Sequence, residues 1–155
     1  MRVHIGSDHA GFQLKDYLIG VLQHRGHDAV DHGATRLDPE DDYPPFCLAV
    51  AAAVVSEPGS LGIVIGGSGN GEQIAANKVA GTRAVLAWSL ETAALGRQHN
   101  DANVISIGAR MHNQDEAVMM VEEFLATPFS GDERHRRRIA MLSSYEQSGV
   151  PPTTT

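Results

Sequence analysis

The 155-residue sequence is poor in cysteine and aromatic residues, with one cysteine, one tryptophan, three tyrosines and four phenylalanines. A lone thiol, Cys47, cannot close an internal disulfide, so the fold is expected to rest on packing and to suit a reducing, cytoplasmic compartment. No apolar run approaches the ~20 residues that span a bilayer, which argues against a membrane partner. Met1-Arg2-Val3-His4-Ile5 enters a strand-like pattern at once, and no signal peptide is expected. Net positive charge is also lacking. Twelve Lys and Arg stand against nineteen Asp and Glu, a formal charge of -7 that argues against a nucleic-acid partner. The basic residues gather at one place, Arg134-His135-Arg136-Arg137-Arg138, which reads either as a solvated helix face or as a spot for one small anion.

What is present is an alternation of short β-branched runs and amphipathic stretches. Val3-His4-Ile5 predicts a strand, followed by a turn at Gly6-Ser7-Asp8 and a helix carrying Leu14, Leu18, Val21 and Leu22 up to Gly26. Asp28 to Asp31 is a weak second strand. A loop with Asp38-Pro39-Glu40-Asp41-Asp42 leads to a helix opened by Pro44-Pro45. Leu61 to Ile65, Ala84 to Trp88 and Val104 to Ile107 have the continuous apolar character of strands buried on both faces. Helices are expected near 71–79, 89–99, 113–126 and 132–147, with Asn113 and Glu116 at capping-box spacing. The pattern implies one α/β domain over 1–148, a three-layer sandwich on a five-stranded parallel sheet, Rossmann-like or flavodoxin-like. Residues 149–155 are expected to form a disordered tail. Ligands of such sheets bind beyond the carboxyl ends of the strands.

Asp8-His9 follow the first strand, and Gly66-Gly67-Ser68-Gly69-Asn70-Gly71-Glu72 follow the third. Glycines let the backbone approach a ligand, and the loop runs into a helix N-terminus that favours an anion or a developing oxyanion. A Walker A loop would need Lys and Ser/Thr where Glu72-Gln73 stand. A G-x-S-x-G elbow fails at Asn70, and G-x-G-x-x-G fails at its last glycine. Neither H-E-x-x-H nor a paired cysteine cluster suggests zinc. What remains is a carboxylate, Glu72, behind an oxyanion-stabilising loop, the arrangement needed to take a proton next to a carbonyl. Further candidates are Tyr43 before the proline pair, His99-Asn100 between a helix and a strand, and Arg110 after the fifth strand. Arg134 and Arg138, spaced i, i+4, project from one helix face.

Four segments, Asp8-His9-Ala10-Gly11, Gly67-Ser68-Gly69-Asn70-Gly71, Ile74 to Lys78 and Arg97 to Asn103, together resemble the type B ribose-5-phosphate isomerases and related sugar-phosphate isomerases. The resemblance covers nearly the whole chain. It implies ribose 5-phosphate and ribulose 5-phosphate interconversion through a cis-enediolate in the non-oxidative pentose phosphate pathway. It further implies no metal or other cofactor, and a homodimer with shared sites. By motif match, Asp8, His9, Tyr43, Gly67, Ser68, Gly69, Asn70, Gly71, His99 and Asn100 line the sugar. Arg110, Arg134 and Arg138 hold the phosphate with help from His9. His99 or Asp8 opens the ring. Many members carry a cysteine base where this chain has Gly66, and Glu72 replaces it in the subgroup resembled here. Hexose 6-phosphate isomerisation and non-catalytic sugar-phosphate binding are the alternative readings.

Overall fold

The computed structural model describes residues 1–153 and contains five strands and six helices. In chain order these are β1 (Arg2–Ser7), α1 (Phe12–His24), β2 (Asp28–Asp31), α2 (Pro44–Ser56), β3 (Leu61–Gly66) and α3 (Asn70–Ala76). β4 (Ala84–Leu86), α4 (Leu90–Asn100), β5 (Val104–Gly108), α5 (Gln114–Ala126) and α6 (Glu133–Ser148) follow. The strands form one parallel sheet in the order β2-β1-β3-β5-β4. The expected α/β sandwich on a five-stranded parallel sheet is what the chain forms.

Side-chain alternation along the strands divides the apolar residues into two layers. Val3 and Ile5 of β1, Ile63 and Ile65 of β3, and Ile105 and Ile107 of β5 pack with α1, α4 and α5. Val64 and Val104 face the other way, against Cys47, Val50, Ala51 and Val54 of α2 and Ala75 and Ala76 of α3. Strands covered on both faces have no polar side to show, which is why their sequence reads as unbroken apolar runs. Asn113 and Glu116 form the capping box at the start of α5, each backbone N–H donating to the other side chain at 2.9 Å. Helix α3 ends at Ala76, three residues before the expected 79. Asn77 instead makes a two-bond pair with Ala84, donating Nδ2 to its carbonyl at 2.9 Å and accepting its N–H at 2.8 Å. Within the expected tail, residues 149–153 carry neither helix nor strand, and 154–155 lie outside the described residues.

Candidate active site

Three strands end at one level. Ser7 of β1 pairs with Ile65 of β3, and Gly66 pairs with Gly108 of β5. Asp8-His9, Gly67–Glu72 and Ala109-Arg110 therefore leave the sheet side by side. From β1 the chain steps outward to β2 and then returns to the other side of β1 as β3. That reversal opens a crevice between the carboxyl ends of β1 and β3.

The glycine loop closes tightly over the end of the sheet. Gly69 takes a φ of +83° to start α3, and a Cβ there would stand 2.6 Å from Leu86 Cδ1 and 3.1 Å from the Ile107 carbonyl carbon. Buried Ser106 of β5 donates its Oγ to the Gly69 carbonyl at 2.6 Å, holding the turn from below. Ser68 is exposed, and its Oγ accepts from Asn70 N at 3.4 Å and Asn70 Nδ2 at 3.2 Å. Tyr43 lies over the loop, since a Cβ on Gly71 would come within 2.7 Å of its Cζ.

Glu72, in the first turn of α3, is only 5% exposed. Its carboxylate folds back over the end of β3: a Cβ on Gly66 would lie 1.8 Å from Glu72 Oε1. Burial raises the Glu72 pKa above the ordinary carboxylate value, and the charge of Asp8 adds to the rise. The backbone amides of Glu72 and Gly69 oppose it. Cys47 is fully buried beneath the same region, and burial first, then Glu72 and Asp8, push its thiol up to about 12. It is an apolar filler rather than a base.

Asp8 is buried and accepts from Ala10 N–H at 3.0 Å. Arg110 is exposed beside the loop; its N–H donates to the Gly67 carbonyl at 3.1 Å, and its Nη1 would stand 3.3 Å from a Cβ on Gly67. His9 is gripped by Asp41, a residue that sequence reasoning assigned only to an acidic loop. Asp41 Oδ1 accepts both the His9 backbone N–H and its ring Nδ1–H, each at 2.8 Å. Among the described residues, Asp8, His9 and Asp41 offer potential donor atoms within 4.8 Å of one another.

The remaining expected site residues lie elsewhere. His99 and Asn100 are the last two residues of α4, inside the helix and not between helix and strand. Arg83, which directly precedes β4, donates its Nε to the Asn100 carbonyl at 2.8 Å, fixing them at the amino ends of the strands. The His99 ring lies 4.4 Å, centroid to centroid, from that of His135 in α6. Arg134 and Arg138 are exposed on the same helix. An 11-residue helix is ~16 Å long. One chain thus holds Asp8, His9, Tyr43, the loop, Glu72 and Arg110 together, and holds His99, Asn100, Arg134 and Arg138 the height of the sheet away.

The family profile described as Ribose/Galactose Isomerase matches residues 3–142. Ribose-5-phosphate isomerase B of Mycobacterium tuberculosis is 56% identical over 152 residues, covering 98% of this chain and 94% of the relative. The structure of ribose-5-phosphate isomerase B from Mycoplasma genitalium with bound ribulose 5-phosphate is 41% identical, with a TM-score of 0.90 over 95% of this chain and 97% of that one. That from Clostridium thermocellum superposes with a TM-score of 0.92 at 40% identity, over 97% of this chain and all of the other. With a five-stranded parallel sheet of matching architecture and a family match over almost its whole length, the chain belongs to the ribose/galactose isomerases.

Proposed function

We propose that residues 1–148 form one catalytic unit that interconverts D-ribose 5-phosphate and D-ribulose 5-phosphate, a step of the non-oxidative pentose phosphate pathway, without metal or organic cofactor. The observation that carries the mechanism is the Glu72 carboxylate, buried at the mouth of a glycine loop in a slot that only a residue without a side chain at 66 leaves open.

Glu72 takes the proton from C2 of the open-chain aldose, and the electrons of the broken C–H bond move into the carbonyl to give an enediolate. Loop amides from Gly67 to Gly71, with Ser68 and Asn70, stabilise the oxyanion. A proton passes between the two oxygens, and protonated Glu72 returns its proton to C1. No oxidant or reductant is needed, because one carbon is reduced as its neighbour is oxidised. Asp8 and Tyr43 bound the sugar, and His9 with Arg110 begins the phosphate site.

A second copy of the chain completes the site. The crevice is rich in carboxylates (Asp8, Asp41 and Glu72), and Arg110 and His9 alone would face a phosphate dianion there. Arg134 and Arg138 of a second copy supply the missing charge, and that copy's His99 and Asn100 supply contacts to the sugar, with His99 or Asp8 opening the ring. Support comes from the apolar surface beside edge strand β4, where Ile74, Trp88, Leu142 and Tyr145 are each about half or more exposed. We assign the homodimer to the cytoplasm on its single buried thiol and its metabolic relatives.

Glu72→Gln preserves shape and removes basicity. It is expected to lower turnover by ~10²–10⁴-fold and to abolish deuterium exchange from D₂O into substrate, with sugar-phosphate binding retained. Because burial holds the Glu72 pKa above its ordinary value of 4.5, the acid limb of wild-type turnover lies above that pH. Normal exchange by the glutamine variant would remove Glu72 as the base and point to Asp8.

A further inference from the structure

Asp41 is the one charged side chain at the crevice to which neither the sequence motifs nor the mechanism above gives a task. It lies in the loop between β2 and α2, near Tyr43, and reaches the end of β1. One of its oxygens, Oδ1, accepts two hydrogen bonds from the same residue, the backbone N–H and the ring Nδ1–H of His9, both at 2.8 Å. Its other oxygen, Oδ2, is buried and has no partner among the described residues.

We infer that Asp41 is a positioning residue for the sugar phosphate, acting through His9 by fixing the tautomer and direction of its imidazole. The inference rests on the reading that His9 touches the substrate phosphate. The chemistry follows from the acceptor. An ionised carboxylate cannot donate, so the Nδ1 that it binds must carry the hydrogen. The ring is then locked with Nε2 turned away from Asp41, and among the described residues Nε2 makes no hydrogen bond. The second bond, from the His9 backbone, ties the same carboxylate to the residue's main chain, so ring and backbone cannot turn independently. The charged groups that face His9 are both acidic: Asp41, and Asp8 with Oδ2 at 4.0 Å from Nδ1. The hydrogen bond from Asp41 is the main cause raising the His9 pKa, so the imidazole keeps its second proton to higher pH and presents Nε2–H⁺ to a phosphate oxygen. This arrangement also accounts for an aspartate beside an anion-binding group, where its charge alone would be unfavourable.

The test uses the full chain with ¹⁵N-labelled histidine and three variants. In the wild type, long-range ¹H–¹⁵N spectra are expected to show His9 with a persistent Nδ1–H. Asp41→Ala should let the ring drift toward the Nε2–H form and raise KM for ribose 5-phosphate about tenfold, with a smaller effect on kcat. Asp41→Asn retains an oxygen for both bonds, so it should keep the tautomer and recover most of the KM while lowering the pH at which His9 titrates. It also stands in should the alanine variant fold poorly. In a His9→Ala background, Asp41→Ala should cost nothing more in KM. An unchanged His9 tautomer in Asp41→Ala, or an additive KM loss in the double variant, would overturn the inference. A changed tautomer with unchanged KM in both Asp41→Ala and His9→Ala would instead overturn the reading that His9 meets the phosphate, leaving Glu72 and the isomerisation untouched.

Discussion

Gly66 and Glu72 form a single unit at the level of the residue. The glycine is usually explained by backbone freedom, but at 66 the reason is volume, because the first atom of any side chain would overlap Glu72 Oε1. A side chain on residue 66 and the Glu72 carboxylate in its slot are therefore alternatives in this backbone, and this chain has the second. Gly66→Ala should leave the sheet intact while driving the carboxylate out of its slot. Turnover is expected to drop by about 100-fold or more, on the scale of a lost general base, and the urea midpoint to fall. Adding Glu72→Ala to Gly66→Ala frees the space, so the midpoint should recover while turnover does not. Recovery of neither would mean that the clash is not the origin of the damage. A sequence shows that the glycine is there. It does not show that its missing side chain is occupied by a carboxylate six positions later.

Among the elements, β2 is the least well buried strand, and besides its pairing with β1 an ion pair ties it to α1. Lys15 of α1 is completely buried, with Nζ bonded to Asp31 of β2 at 2.6 Å and to the more exposed Asp16 at 3.0 Å. Asp31 also accepts Gly33 N–H at 2.8 Å, so it anchors the start of the loop that delivers Asp41 and Tyr43. Asp31→Ala leaves an ammonium in the interior with only Asp16 beside it. A loss of about 3 kcal/mol is expected by urea denaturation, whereas Lys15→Met, which buries no charge, should cost far less. Equal losses would show that the pair acts through packing alone. This strand was readable only weakly in sequence, because its two exposed ends break the apolar run. The buried strands, the proline-opened α2 and the capped α5 were legible because each signal lies within a few adjacent residues. Strand order was not legible, since pairing joins residues far apart in the chain. The early end of α3 depends on such a pairing, between Asn77 and Ala84. Asp41 was hidden for the same reason: an acidic loop resembles any solvated turn until the fold lays it against His9.

For the whole molecule, the decisive fact is that α4 carries His99 and Asn100 away from the crevice that begins at Asp8 and Glu72. Residues on opposite ends of a rigid parallel sheet cannot meet within one chain, since closing that gap would require unfolding α4 or β5, and β5 is buried along its length. If both groups act on one substrate, they come from two chains. The arginines of α6 lie with His99, whose ring packs against His135 from that helix, so the partner would deliver its histidine and its phosphate-binding charge as one block. This gives a complementation test that neither group's mutation could pass alone. Glu72→Gln and His99→Ala homodimers should each be nearly inactive. Mixed under conditions that exchange subunits, one in two of the chains' pairings is a heterodimer at equal concentrations. Each heterodimer then contains one site with both defects and one with neither. Activity should therefore recover to about a quarter of the wild-type level. Pairing Glu72→Gln with Asp8→Ala, two lesions on the same end of the sheet, should recover nothing, because every site in that heterodimer keeps one defect. Recovery in both mixtures would point to an effect other than shared sites, and recovery in neither, with exchange demonstrated by mass, would overturn the shared site.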